Sequence, residues 1–122
     1  VDVGQSTADA LYQEAVSGKF RMEAGAAQEC AKIFQRFAES LDVHVRDSVN
    51  LQRLVGFGDF ESSKRLQEGF SGKGLELTNA LTGMQEAALR MAAAYLRAGN
   101  MIEEAEALNT LAIKMTSGAQ NQ

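Results

Sequence analysis

The sequence predicts an all-α fold: an antiparallel helical hairpin with a short extra N-terminal helix. Three observations predict it. The 122 residues contain no proline, so no position forbids helix interior. Ala, Leu, Glu, Gln and Met are plentiful, and all favour helix. Two long runs of apolar residues at helical spacing flank a glycine-aromatic stretch, Gly56-Phe57-Gly58-Asp59-Phe60. Glycines on either side of a ring turn the backbone sharply while the ring docks back onto the helices. Two helices alone cannot cover all of their apolar surface, so the pattern also points to a protein partner.

The elements follow in order. Residues 1–5 read as frayed. Ser6 is a candidate N-cap for a short helix over about 7–16, with Ala10, Leu11, Tyr12 and Val16 on its apolar side and Gly18 ending it. Phe20 is placed to anchor the connection. A long helix is expected over about 22–54. One heptad row holds Ala27, Phe34, Leu41 and Ser48, a second Cys30, Phe37, His44 and Leu51, with Ala31, Ala38 and Val45 beside them. The turn covers 55–61, and Asp59 or Ser62 can cap the next helix. The second arm is expected over about 62–115. A kink or short break is expected at Gly69-Phe70-Ser71-Gly72-Lys73-Gly74, since each glycine costs about 1 kcal/mol relative to alanine. Its rows are Leu77, Met84, Met91, Ala98, Ala105, Ala112 and Leu81, Ala88, Tyr95, Ile102, Asn109. Gly99-Asn100 could end one helix and cap another, but the continuous phase favours one helix with a weak point. Residues 116–122 read as a disordered tail. The whole is one domain, 1–122.

Composition excludes several classes of function. The formal net charge is -4 and the twelve basic residues are scattered, which argues against nucleic-acid binding. No apolar run is long enough for a membrane span. No charged start followed by an apolar core opens the sequence, so no cleaved secretory signal is expected. One cysteine, Cys30, excludes an intrachain disulfide.

Candidate chemistry is sparse. Residues 69–74 have the glycine density of a phosphate loop, but Gly74 follows Lys73 where Ser or Thr is needed, and a helix precedes it. His44 is the sole histidine and lies fourteen residues from Cys30, about four helical turns, so the two cannot share a metal. Cys30 reads as a small packed residue. Glu103, Glu104 and Glu106 read as a solvated face. Glu61 with Glu68, or Asp42 with Asp47, would need a cleft to work as a carboxylate pair. Met84, Met91, Met101 and Met115 suit either a core or a partner surface. No catalytic residue, metal or cofactor is expected, and a small helical enzyme is the disfavoured reading.

The stretch Val55-Gly56-Phe57-Gly58-Asp59-Phe60-Glu61-Ser62, followed by Leu66 and Phe70, resembles the turn of the WXG-type, early-secreted-antigen-like substrates of type VII secretion, in their tryptophan-free actinobacterial form. The likeness covers about residues 20–110. It implies a hairpin that pairs with a second hairpin, homotypic or heterotypic, into a four-helix bundle. It also implies export without a cleaved signal, with residence in the cytoplasm beforehand. The family's export tag is a tyrosine followed four residues later by an acid; here Tyr95 is followed by Gly99, a degenerate match. The expected function is a non-enzymatic type VII protein, secreted with or binding another protein. The alternative is a cytoplasmic chaperone or adaptor for a larger toxin. The expected turn residues are Gly56, Phe57, Gly58 and Phe60. The expected partner face is Phe34, Phe37, Leu41, Leu77, Leu81, Met84, Met91 and Tyr95.

Overall fold

The computed structural model describes residues 1–120 as five helices with no strand among them. They are α1 (Gln5–Val16), α2 (Ala24–Ser40), α3 (Asp42–Gln52), α4 (Glu61–Ala98) and α5 (Ile102–Gln120). The predicted all-α class holds, and the helices pack as a bundle around α4. At 38 residues, α4 is about 57 Å long. Its C-terminal half is wrapped by α1, α2 and α5, and its N-terminal half is flanked by α3.

Point contacts give the directions. The α2–α3 arm runs antiparallel to α4: Met22 N–H donates to the Ala98 carbonyl (3.0 Å), Gln85 reaches the Ala38 carbonyl, and Ser48 meets Thr78. Helix α5 turns back along α4, so that Thr116 Oγ1 donates to Glu86 Oε2 at 3.2 Å. Helix α1 runs parallel to α4, with Asp9 beside Arg90 (3.6 Å) and Phe20 edge-on to Tyr95 (5.8 Å). Phe20 is thus the anchor its position predicted.

The second arm is therefore two helices, not one helix over 62–115. Its break is a Schellman end. Asn100 takes φ 65°, Met101 N–H donates to the Leu96 carbonyl (2.9 Å), and Asn100 N–H donates to that of Arg97 (3.0 Å). These bonds satisfy the last carbonyls of α4, and Met101 folds onto the apolar cluster that contains Leu96. Apolar phase continues across 99–101 because both helices face the same core, which is why the row pattern hides the turn. The consequence for packing is large. Cover assigned to a second hairpin comes, over the C-terminal half of α4, from α1 and α5 of the same chain.

The first arm is also interrupted, at Leu41, instead of running unbroken over 22–54. Leu41 N–H donates to the Ala38 carbonyl at 3.2 Å, one residue short of helical spacing. Buried Gln85 holds this step open: its Nε2 donates to the Ala38 carbonyl (3.0 Å) and to Asp42 Oδ1 (2.6 Å). Ser40 Oγ, turned back to the Phe37 carbonyl (2.6 Å), competes for the same turn. By contrast, α4 runs without interruption through Gly69–Gly74, where a break was expected.

Caps adjust the other ends. Helix α1 starts before Ser6: the Asp2 carboxylate takes the N–H groups of Gly4 (2.9 Å) and Ser6 (3.3 Å) and the Ser6 hydroxyl. Helix α2 starts after Glu23, whose carboxylate accepts from Gly25 N–H (2.9 Å) and Ala26 N–H (3.0 Å). The expected disordered tail is helical over 116–120; residues 121–122 lie outside the described residues.

The core is built from small side chains. Ala31, Ala38, Ala92, Ala93, Ala105 and Ala112 are buried together with Leu89, Leu96 and Leu108. Alanine faces let helices approach closely but bury little apolar area each. Arg90 adds a polar tie: it lies between Asp9 of α1 and Glu86 of α4 (3.6 and 3.5 Å), and Glu86 accepts from Thr116 of α5.

Candidate functional site

The turn forms as its glycines require. Gly56 and Gly58 take φ +87° and +105°, values that a side chain rarely tolerates. Phe57 is half-buried against Phe70, with ring centroids 6.2 Å apart. Phe60 does not dock; it is 79% exposed and supplies the extended residue that precedes α4. Neither Asp59 nor Ser62 caps that helix by a side-chain hydrogen bond.

Next to the turn, α3 and the N-terminal half of α4 form a two-helix tip. The seam between them is polar and tight. Gln52 Nε2 donates to Thr78 Oγ1 (2.7 Å), and Ser48 Oγ lies 2.6 Å from Thr78 Oγ1. The two hydroxyls also reach the carbonyls of Val45 (2.7 Å) and Gly74 (3.0 Å). Two hydroxyl protons thus serve three acceptor directions, and every acceptor arrangement stays inside the seam. Gly74 permits the approach: a Cβ there would sit 2.9 Å from Gln52 N.

The outer surface of the tip carries exposed apolar side chains among charged ones. Leu66, Phe70, Leu75 and Leu77 of α4 are 46–55% exposed. Val55 and Phe60 of the turn are more so. Leu66, Phe70 and Leu77 share one flank of α4 by helical spacing. Further along that flank Met84 and Met91 line a cleft of about 290 Å³ with Phe34, Phe37, Val3 and Thr7.

The expected partner face therefore divides. Phe34 stacks on Tyr95 (5.6 Å, 21° between planes), and Tyr95 also receives Phe20, so these rings serve the bundle itself. Leu41 is buried at the helix step. Leu81, Met84 and Met91 are half-buried. Phe37 and Leu77 remain exposed. Of the two residues of the degenerate tag, Tyr95 is held between two rings and Gly99 closes α4.

His44 is exposed and Cys30 is a half-buried free thiol. Among the described residues, no three His, Cys, Asp or Glu side chains are grouped to hold a metal ion. No helix among the described residues is long and apolar enough to cross a membrane. Two carboxyls titrate below their usual range. Asp2 is lowered chiefly by the Ser6 hydroxyl and then by backbone N–H groups. Glu23 is lowered by the Gly25 and Ala26 N–H groups. Both are caps, and neither lies in a cleft.

The pattern of the sequence did not disclose Gln85, Arg90 or the exposed Leu75. Gln85 and Arg90 occur singly in a helix rich in polar residues, and only the facing helices give them partners. The chain matches no family model, no curated protein and no solved structure.

Proposed function

We propose that this protein is a non-enzymatic binding module whose α3–turn–α4 tip docks onto another protein. The observation that carries the reading is the contrast along α4: its C-terminal half is covered by three helices of its own chain, whereas Leu66, Phe70 and Leu77, on one flank, stand exposed on its N-terminal half. Contiguous apolar surface of this kind marks interaction sites. The setting we propose is type VII secretion, on the likeness of residues 55–62 to the turn of that family and on the helix–turn–helix arrangement of α2–α3 and α4 around it. The partner is a second helical hairpin, which would complete a four-helix bundle at the tip.

Two experiments test this. Affinity purification from the native host should recover a partner with the wild-type chain and lose it with Leu66→Asp/Phe70→Asp; equal recovery by both forms rejects the tip. Export should then stop in a strain lacking a working type VII machine. A second reading, a cytoplasmic chaperone or adaptor for a larger toxin, draws support from Tyr95, which is packed between Phe20 and Phe34 and lacks the acid four residues on. Partner capture with no export in either strain would favour that reading.

A further inference from the structure

We infer that the cleft where α1 and α4 end together is a carboxylate-binding site, independent of the tip, with Arg21 and Arg97 as the recognising pair. The cleft has a volume of about 490 Å³, within the size range of small-ligand sites. Its lining includes two arginines and no acidic residue, in a chain where acids outnumber bases sixteen to twelve. Neither arginine has an ion-pair partner within 4.0 Å among the described residues. Val16, Phe20 and Met22 supply the minor apolar part of a lining that is mostly polar.

The local fold builds this corner. Helix α1 ends as α4 does, in a Schellman turn: Gly18 takes φ +83°, Gly18 N–H donates to the Ala15 carbonyl (3.2 Å) and Lys19 N–H to that of Glu14 (3.0 Å). The bare Gly18 leaves room for Arg21: a Cβ would lie 3.3 Å from its Nη2. The guanidinium is thereby laid along the cleft wall. Arg97 comes from the last turn of α4.

The donors present select the anion. The N–H groups of Gly18, Lys19, Met22, Asn100 and Met101 are all spent on carbonyls, and Glu23 takes those of Gly25 and Ala26. No run of consecutive free N–H groups remains for a phosphate cradle. Two helix C-termini, each with partial negative charge, also face this corner and oppose a dianion more strongly than a monoanion. A single planar carboxylate matches the guanidinium fork. An apolar body attached to it would rest on Phe20 and Met22. Such a group can come from a free aromatic or aliphatic acid, or from the C-terminus of another polypeptide.

NMR titration of the full chain, reading the side-chain Nε–H signals of Arg21 and Arg97, tests the site. The probes are benzoate, N-acetyl-Phe-Leu, the C-terminal amide of that dipeptide, and inorganic phosphate. Saturable shifts of both arginines with benzoate or the free dipeptide acid are expected, with the tighter probe naming the source. The amide should give none. Arg21→Gln should weaken binding at least tenfold; Arg21 lies outside every helix, so this variant serves even if Arg97→Gln loosens the end of α4. Non-saturating shifts, equal shifts with the amide, tighter binding of phosphate, or unchanged affinity in Arg21→Gln would each overturn the assignment and leave the arginines as compensation for the helix ends.

Discussion

Replacing Gly74 by alanine should destabilise the protein, while the same change at Gly72, two residues earlier in the same helix, should stabilise it. Both sites gain helix propensity, about 1 kcal/mol each. They differ in what the new methyl group meets. At Gly72 there is nothing within 4 Å, so the gain stands alone. At Gly74 the methyl would lie 2.9 Å from Gln52 N and 3.1 Å from both Leu51 C and Leu51 Cβ. Two of those atoms are backbone and cannot swing aside, so α3 must move away from α4. Overpacking of this sort costs about 1–3 kcal/mol. Displacing α3 also stretches the Ser48–Thr78–Gln52 hydrogen bonds, each worth about 1 kcal/mol. The net expectation is a loss of about 1–3 kcal/mol for Gly74→Ala and a gain of about 1 kcal/mol for Gly72→Ala. Urea unfolding followed by far-UV circular dichroism measures both. Equal stabilisation by the two substitutions would refute the close approach of α3 to α4.

Two further expectations concern the arm and its cap. Gln85→Ala removes the two hydrogen bonds that Gln85 Nε2 makes at the step, while the Ala38 carbonyl keeps the Leu41 N–H and exposed Asp42 turns to water; a loss of about 1–3 kcal/mol is expected, and amide exchange should rise at the α2–α3 step before it rises in α5. Glu23 has a folded pKa below its ordinary 4.5, so its contribution is present above that value and disappears as pH falls through the lowered one. Glu23→Gln should therefore lower the thermal midpoint at neutral pH and narrow its difference from wild type in acid, as read by calorimetry across pH 2–7; a difference that grows in acid would contradict the cap.

The helical class was legible because apolar rows at helical spacing, with no proline to interrupt them, admit little else. The turn was legible because Gly56 and Gly58 are local requirements of the backbone. Three features were not. The step at Leu41 depends on Gln85, 44 residues downstream, and no local pattern signals a side chain arriving from another helix. The break at 99–101 needed Asn100 in the left-handed region, a conformation Asn adopts without glycine's obviousness. Once that break is missed, α5 cannot be seen to fold back, and the cover it gives is assigned to another molecule. Likewise, residues 69–74 were weighed by propensity alone. There, glycine costs were outweighed in a long helix whose Gly74 is a packing position. Of the expected partner face, the sequence distinguished apolar from polar residues but not which apolar residues the chain consumes itself: Phe34, Leu41 and Tyr95 went inward, and Phe37 and Leu77 stayed out.

Helix α3 buries a single residue, Ser48, and meets α4 largely through hydroxyl and amide groups that water can replace, with Leu51 against Gly74. A joint of that kind opens at low cost compared with the alanine-packed end. Amide exchange is therefore expected to be faster in α3 than along the alanine-packed end of α4.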